Sequence, residues 1–488
     1  MLLASLCLGL AAVELRCWLA ARSATNHPDE PITVTLVMRN LADRRFSANW
    51  AGYDTWWSRP TYQFSPYTLL QTTIASLATS APGENTEERQ LWLARTASAW
   101  WGGLLGTLVF VSALTLGLPI SSALLGQLVA ALCLLNVQDS IYARCDSFVA
   151  SCAAMTLLLG LMALRRPAHH RRWLIACALA AGVTLAAKIN ATSVLGVLVG
   201  VLLGRALGQR QSIAGDLAVL VLALLLGFVI ATPNLLRDPQ PELQGVTYEF
   251  SHYAQGHPPH KAYGFWDNNV FYWTAYLGWI GVGWGSLGLL GIGLSSIRRT
   301  NHRELLLLLA FACGLVPLLW AKARFERNWE TVLAALCLLV ALGASRVVAR
   351  LRRHPLARPA ALPFVAALAL AQPGLTLYRF ALAVQQEHQP TGPARQAWHG
   401  PPQCEFKAIF FPPRRITCDR VMLVDFGDPF SQQGMTRWMS VLESNGMQEF
   451  RSYWSQFGYP FSTIDVYHGP SRILVAEVRT EPRAGNAD

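Results

Sequence analysis

Charge is what this sequence has least of. Asp, Glu, Lys and Arg make up 14% of its 488 residues, against roughly 25% in soluble proteins. That shortage, beside 52% apolar residues, argues against a water-soluble fold. Clustering decides the matter, because the apolar residues come in blocks of about twenty, the length a helix needs to cross the hydrocarbon core. In lipid such blocks must be helical, since no water satisfies exposed backbone groups there. A basic leader is also missing. The first block, Met1 to about Ala21, carries Glu14 and Arg16 without the cationic start of a cleaved signal peptide, so it reads as a retained helix. No convincing repeat relates the two halves, and mid-block charges are few, Glu14 and Arg16 being the clearest. Both absences weigh against a transporter or flippase, whose halves often repeat and whose ionisable groups lie near the midplane. Gly283-Trp284-Gly285-Ser286-Leu287-Gly288 matches the dinucleotide fingerprint, but no strand precedes it and it lies inside an apolar block. Small residues there serve helix approach instead. Hydrophilic cysteine is scarce too. Eight of the ten sit in apolar segments, where a buried thiol is ordinary, and only Cys404 and Cys418 lie in polar sequence. A disulfide between them and two free thiols are equally compatible with the spacing.

Ten or eleven transmembrane helices are expected. After Met1–Ala21, blocks follow at about 91–116, 120–137, 148–164, 173–187, 191–207, 217–231, 270–297, 305–320, 331–348 and 360–384. Two long hydrophilic loops interrupt them, at about 23–90 and 232–268. Within the first loop Val34, Val37, Met38 and Leu41 recur at helical spacing, predicting an amphipathic helix over Ile32–Phe46, and Tyr67 to Leu77 predicts a second. The expected architecture is an all-α polytopic membrane domain, 1–384, followed by a small α/β extracytoplasmic domain, 385–488. Val421–Asp425, Ser462–Tyr467 and Arg472–Val478 are strand-like, and Gln433–Glu443 is helix-like.

The net charge of +11 does not point to nucleic acid. Much of it lies in short clips between blocks, where arginine sets orientation. Alternating the blocks puts four arginine-rich clips on one face: Arg165–Arg172, Arg205–Arg210, Arg298–Arg303 and Arg346–Arg358. That face is expected to be cytoplasmic, with both long loops and the C-terminal domain outside. Lys322, Arg324 and Arg327 break the pattern, falling on the outer face. They read as an anion site, such as a lipid phosphate, or as ordinary headgroup contacts.

Two outer stretches carry possible chemistry. His27-Pro28-Asp29-Glu30 places adjacent carboxylates outside the first helix. They suit a general base, oxygen ligands for a divalent cation, or simply the acidic start of a helix, which composition alone favours. Gln138 to Ser147 contains Arg144-Cys145-Asp146 at the opening of the fourth block. Asp146 reads as a helix cap beside Arg144, or as a second functional carboxylate facing the same cavity as Asp29. The second loop holds Glu249, His252, His257 and His260. Asp29, Glu30, His252 and His257 carry the right side chains for a metal ion, but the helical i, i+4 histidine pair is absent. Polar loop or acceptor contacts are the plainer reading.

Taken in order, these features resemble the GT-C membrane glycosyltransferases, in particular the dolichyl-phosphate-mannose protein mannosyltransferases and the bacterial lipid A aminoarabinose transferases. The resemblance rests on Asp29-Glu30 in the first outer loop, on Tyr62-Gln63-Phe64-Ser65-Pro66-Tyr67, and on Arg89 or Arg95 leading the next helix. It continues with Arg144-Cys145-Asp146, Lys188, and the basic turn Lys322 to Arg327. The chain has Arg327-Asn328-Trp329 where many members have Arg-Tyr, and Ser65-Pro66-Tyr67 where Pro-Pro-Leu is frequent. The resemblance implies transfer of a sugar from a polyprenyl-phosphate donor to a glycan, lipid or protein acceptor, by one inverting displacement outside the membrane. It implies Asp29, Glu30 and Asp146 at the chemistry. Lys188, Lys322, Arg324 and Arg327 would take the donor phosphate. Tyr62, Tyr67, Arg144 and His257 would meet substrate, with a divalent metal as an optional cofactor. The setting implied is a bacterial inner membrane with the site facing the periplasm. A transporter or flippase of a lipid-linked substrate, and a lipid-linked polysaccharide ligase or polymerase, are the alternatives.

Overall fold

In a computed structural model, the described residues are 2–22, 30–48, 65–78, 87–209, 214–255, 263–298, 300–323, 326–387, 404–407, 420–425, 447–454 and 472–478. The chain divides into two compact units. The first is helical. It comprises α1 (Leu2–Arg22), α2 (Glu30–Ala42), α3 (Ser65–Ala78), α4 (Glu87–Leu116), α5 (Ile120–Leu132), α6 (Leu134–Ser140), α7 (Asp146–Arg165) and α8 (His170–Ala187). It continues with α9 (Ser193–Gln209), α10 (Ala214–Ala231), α11 (Asn234–Arg237), α12 (Pro239–Gln255), α13 (Phe265–Val270), α14 (Trp284–Ser295), α15 (His302–Trp320) and α16 (Glu330–Leu351). Helix α17 (Ala361–Glu387) runs on past the limit of this unit at Leu377. Among the described residues seven helices are long and apolar enough to cross a membrane, or nine if each of two bent pairs is one span. The chain is a multi-pass integral membrane protein. Each expected apolar block is a helix or a bent pair, but α8 and α9 fall outside that count of spans.

Helix α16 is the hub. Its residues from Glu330 to Ala344 are buried, and it packs on α4, α5, α7, α14 and α15. Its approach to α14 is backbone to backbone. A Cβ on Gly343 would strike the Leu289 carbonyl, and one on Gly293 would strike the Leu339 carbonyl, so small residues are required at this crossing. The nucleotide-like glycine run begins at the sharp bend before α14, where Gly283 takes a φ of 83°. A Cβ on Gly285 would strike the carbonyl of Leu368.

The third block is broken. Helices α5 and α6 meet at 54° around Cys133, and a bend strands carbonyls that lipid cannot satisfy. Buried Arg16 answers this. It donates to Ala131 O at 3.2 Å and to Ser140 Oγ at 2.9 Å, while Asn136 donates to Ala130 O at 3.3 Å. The mid-block cation of α1 is therefore a cap for a neighbouring helix. Replacing Arg16 with methionine keeps bulk and removes the donors. We expect a loss of about 2–3 kcal/mol, read as a lowered unfolding midpoint in detergent; an unchanged midpoint would refute the capping role.

Outside the spans, the side chain of Glu242 on α12 is buried, with Oε2 unpartnered among the described residues. Burial, with Asp238 nearby and a weaker opposing contact from Asn234, lifts its carboxyl from 4.5 to about 7. A raised folded-state value means the folded loop holds the proton more tightly. Its stabilisation is therefore complete below about pH 4.5 and is lost as pH rises through 7. Protection factors along α12, which divide out the intrinsic rise of exchange with pH, should fall between pH 5 and about 8, and Glu242→Gln should flatten that fall.

The second unit contains a four-stranded sheet of β1 (Cys404–Lys407), β2 (Arg420–Asp425), β3 (Met447–Trp454) and β4 (Arg472–Val478), in the order β1-β2-β4-β3. The β1–β2 pair is parallel and the others antiparallel. The strands expected near 421–425 and 472–478 are β2 and β4. Ser462–Tyr467, Gln433–Glu443 and Cys418 lie outside the described residues.

Candidate active site

The first long loop enters the helical unit through Glu30. Helix α2 begins on this residue, as the favourable placement of an acid at a helix N-terminus suggests. The side chain is not spent on its own helix, though. It is 1% exposed and takes a bidentate pair from Arg95 of α4, at 2.8 and 2.9 Å. The same carboxylate accepts the Ala143 amide at 2.7 Å, and Arg95 lies over the Tyr142 ring, 5.8 Å from its centre. Glu30 thus ties α2 and α4 to the turn between α6 and α7. Of the two arginines open at that position, Arg95 meets Glu30, while Arg89 donates to Ala78 O at 2.7 Å.

That turn holds a buried cluster of charge. Arg144 is fully buried between Asp139 at 3.0 Å and Asp146, which it contacts through Nη2 at 2.7 Å and Nε at 3.0 Å. Asp146 opens α7. Its other oxygen takes Lys188 Nζ at 2.5 Å. Lys188 sits where α8 ends and the chain becomes extended, at φ −158°. From there Nζ also reaches the Arg327 carbonyl at 3.5 Å. The charge of Arg327 acts on both Asp139 and Asp146. Residues distant in sequence therefore meet at one place: the α6–α7 turn, the end of α8 and the turn before α16.

The second long loop closes on the same place. Lys322 N donates to Tyr253 O at 3.0 Å, and Tyr263 N donates to Lys322 O at 3.1 Å, which pins the basic turn to the second loop. Burial, with Glu249 adding its charge, pushes the Tyr253 hydroxyl well above the usual tyrosine range. It remains a donor, and gives its proton to Asn328 Oδ1 at 3.2 Å. Tyr67 lies deeper than a loop residue would. It is fully buried, bonds to Ser98 Oγ at 2.7 Å, and packs with Cys145, Phe148 and Ala187 behind Asp146.

Asp29, Tyr62, Arg324 and His257 lie outside the described residues, as does the His252 side chain. Of the four residues considered for a metal, only Glu30 has a described side chain, and Arg95 and Ala143 occupy it. Among the described residues no three His, Cys, Asp or Glu side chains converge on one point. The Glu30 carboxylate is thus engaged within the protein rather than open to a cation. Sequence reasoning did not single out Asp139, Tyr253, Trp329 or Glu330. For Glu330 the signal is an acid leading an apolar block, which a helix N-terminus also favours on its own account.

No family model matches the chain, and no curated protein matches it significantly. Solved structures do match. The fold is that of the GT-C membrane glycosyltransferases. In particular, the chain is similar to ArnT from Cupriavidus metallidurans bound to undecaprenyl phosphate, with a TM-score of 0.56 and 15% identity over 97% of this chain and 98% of that one. The apo state of the same protein gives 0.53 at 15% identity, covering 96% and 97%. The archaeal oligosaccharyltransferase AglB from Archaeoglobus fulgidus, in complex with an inhibitory peptide and a dolichol-phosphate, gives 0.50 at 13% identity, over 78% of this chain and 58% of that one. At such identities the likeness is one of fold.

Proposed function

We propose that this chain transfers a sugar from a polyprenyl-phosphate donor to a glycan, lipid or protein acceptor at the outer face of a bacterial inner membrane. The observation that carries the reading is the buried centre around Asp146, where Arg144 and Lys188 bind one carboxylate and Arg327 stands near. Arg144, Lys188 and Arg327 gather around two carboxylates, Asp139 and Asp146, a balance that suits the stabilisation of one further anion. On a GT-C fold, a lipid-linked phosphate is that anion.

In the reaction, the acceptor O–H or N–H bond breaks and its oxygen or nitrogen bonds to the anomeric carbon. The bond from that carbon to the phosphate oxygen breaks, and the lipid phosphate leaves with the electron pair, inverting the centre through an oxocarbenium-like state. Asp29 takes or orients the acceptor proton. An aspartate of ordinary pKa is a weak base, so positioning is a large part of its work. Lys188, Lys322, Arg324 and Arg327 meet the growing phosphate charge. Asp146 and Arg144 fix Lys188. Glu30, whose carboxylate is committed to Arg95 and Ala143, anchors the start of α2 on the α6–α7 turn. Sugar transfer in membranes carrying Asp29→Asn, supplied with polyprenyl-phosphate sugars and native acceptors, tests the reading. We expect a loss of about 10²-fold or more with normal insertion. A wild type that transfers nothing but moves labelled lipid across the bilayer would replace the enzyme reading with transport.

A further inference from the structure

Three consecutive residues at the head of α16 carry polar atoms that the mechanism above leaves unused. Asn328, Trp329 and Glu330 are 1%, 2% and 2% exposed. Among the described residues, Asn328 Nδ2, Trp329 Nε1 and both carboxyl oxygens of Glu330 are buried without a hydrogen-bond partner. Folded proteins leave few such groups, because each loses its hydration with nothing in return. Here they are adjacent in sequence and held in place. Tyr253 fixes the Asn328 carboxamide at 3.2 Å, and the Trp329 ring packs edge-on against Tyr272 and Trp273, with centroids 5.6 and 5.8 Å away. Arg16 acts on Glu330 through space, but its hydrogen bonds go to Ala12, Ala131 and Ser140.

The segment borders the reaction centre. Lys188 reaches the Arg327 carbonyl next door, and the charges of Asp139, Asp146 and Lys188 act on Glu330. Hydrogen-bond type selects the occupant. The two nitrogens only donate, which an ionised phosphate would suit. At least one Glu330 oxygen accepts in either protonation state, and the phosphodiester of a lipid-linked sugar has no donor to offer it. A sugar hydroxyl both accepts and donates, and an amine can donate to the carboxyl, so a substituted sugar ring satisfies all three residues where a phosphate satisfies two. We propose that Asn328, Trp329 and Glu330 form a ledge that hydrogen-bonds the ring substituents of the donor sugar and selects which sugar is used. The phosphate lies toward Lys188. The ledge rests on the reading of the chain as a lipid-linked glycosyltransferase.

Two conservative variants test it. Trp329→Phe keeps the ring contacts and removes the donor; Glu330→Gln keeps the shape and replaces one carboxyl oxygen with an amide nitrogen that only donates. Binding to the full-length protein in detergent is measured for bare undecaprenyl phosphate and for undecaprenyl phosphates carrying glucose, mannose or an aminopentose. In the wild type, one sugar-bearing lipid should bind more tightly than the bare one. Each variant should weaken that lipid about tenfold, leaving bare undecaprenyl phosphate within about twofold of wild type. Equal weakening of the bare lipid, or an unchanged ranking of the sugars, overturns the ledge and leaves the enzyme reading standing. A wild type that binds none of these lipids overturns both. If Glu330→Gln fails to fold, Trp329→Phe decides the matter alone.

Discussion

Asp146→Ala should remove transfer almost completely, by a factor of about 10³ or more, and destabilise the protein by about 3–5 kcal/mol. Both effects come from one geometry. The carboxylate accepts Arg144 twice and Lys188 once, so its removal leaves two buried cations close together beside Asp139. Breaking a buried pair costs more than the pair is worth, because the orphaned charge has already given up its water. The catalytic loss follows from position. Without Asp146 the Lys188 ammonium has no fixed direction, and a phosphate-binding cation misplaced by an ångström loses much of its effect. Asp146→Asn separates the two losses. It keeps the volume and an acceptor but not the charge, so stability should recover in part while transfer stays low. The double variant Asp146→Ala with Lys188→Met should regain stability over Asp146→Ala alone and regain no activity. Unfolding in detergent and single-turnover transfer measure these separately. Near-wild-type transfer by Asp146→Ala would remove this centre from the chemistry.

The parts of this centre differ in how far the sequence announced them. Asp146 was legible because an ionisable residue at the edge of an apolar block is expensive and draws attention, whereas Lys188 entered only through the family resemblance. Asp139 lay in the same polar stretch, yet nothing local says that it faces Arg144 from the opposite side; only the turn between α6 and α7 brings them together. Glu330 was hidden because an acid at the head of a helix is favourable on its own account. Tyr67 read as a loop residue meeting substrate, and is instead part of the packing behind Asp146. The α5–α6 break had no local signal. Residues 120–137 read as one apolar run, and the caps that allow the break come largely from Arg16, more than a hundred residues away. In the sheet, β2 and β4 are central and rich in Val, Ile and Leu, so they stood out. β1 and β3 are its edges, where a strand packs less and its pattern is more polar.

The two adjacent carboxylates of the first loop are expected to fail in different ways when replaced. Asp29→Asn should leave stability unchanged and lower the rate. Glu30→Ala should lower stability by about 3–5 kcal/mol, because it leaves Arg95 buried without its bidentate partner and the Ala143 amide without an acceptor. Arg95→Ala should cost a similar amount by stranding Glu30. The pair is local and closely coupled, so the double variant should be less harmful than the sum, with a coupling energy of about 1–3 kcal/mol. The pH profile then assigns the roles. A carboxylate that moves a proton leaves its titration in the rate, and its replacement removes that limb of the profile. A carboxylate that only braces the α6–α7 turn leaves the shape intact and lowers the whole curve. Glu30 should belong to the second kind, since both its oxygens are already engaged by Arg95 and one also by Ala143. Loss of the acid limb in a folded Glu30→Gln protein, with the limb retained in Asp29→Asn, would exchange the two roles. In either outcome Arg95 remains the residue that makes an acid at position 30 tolerable inside the protein.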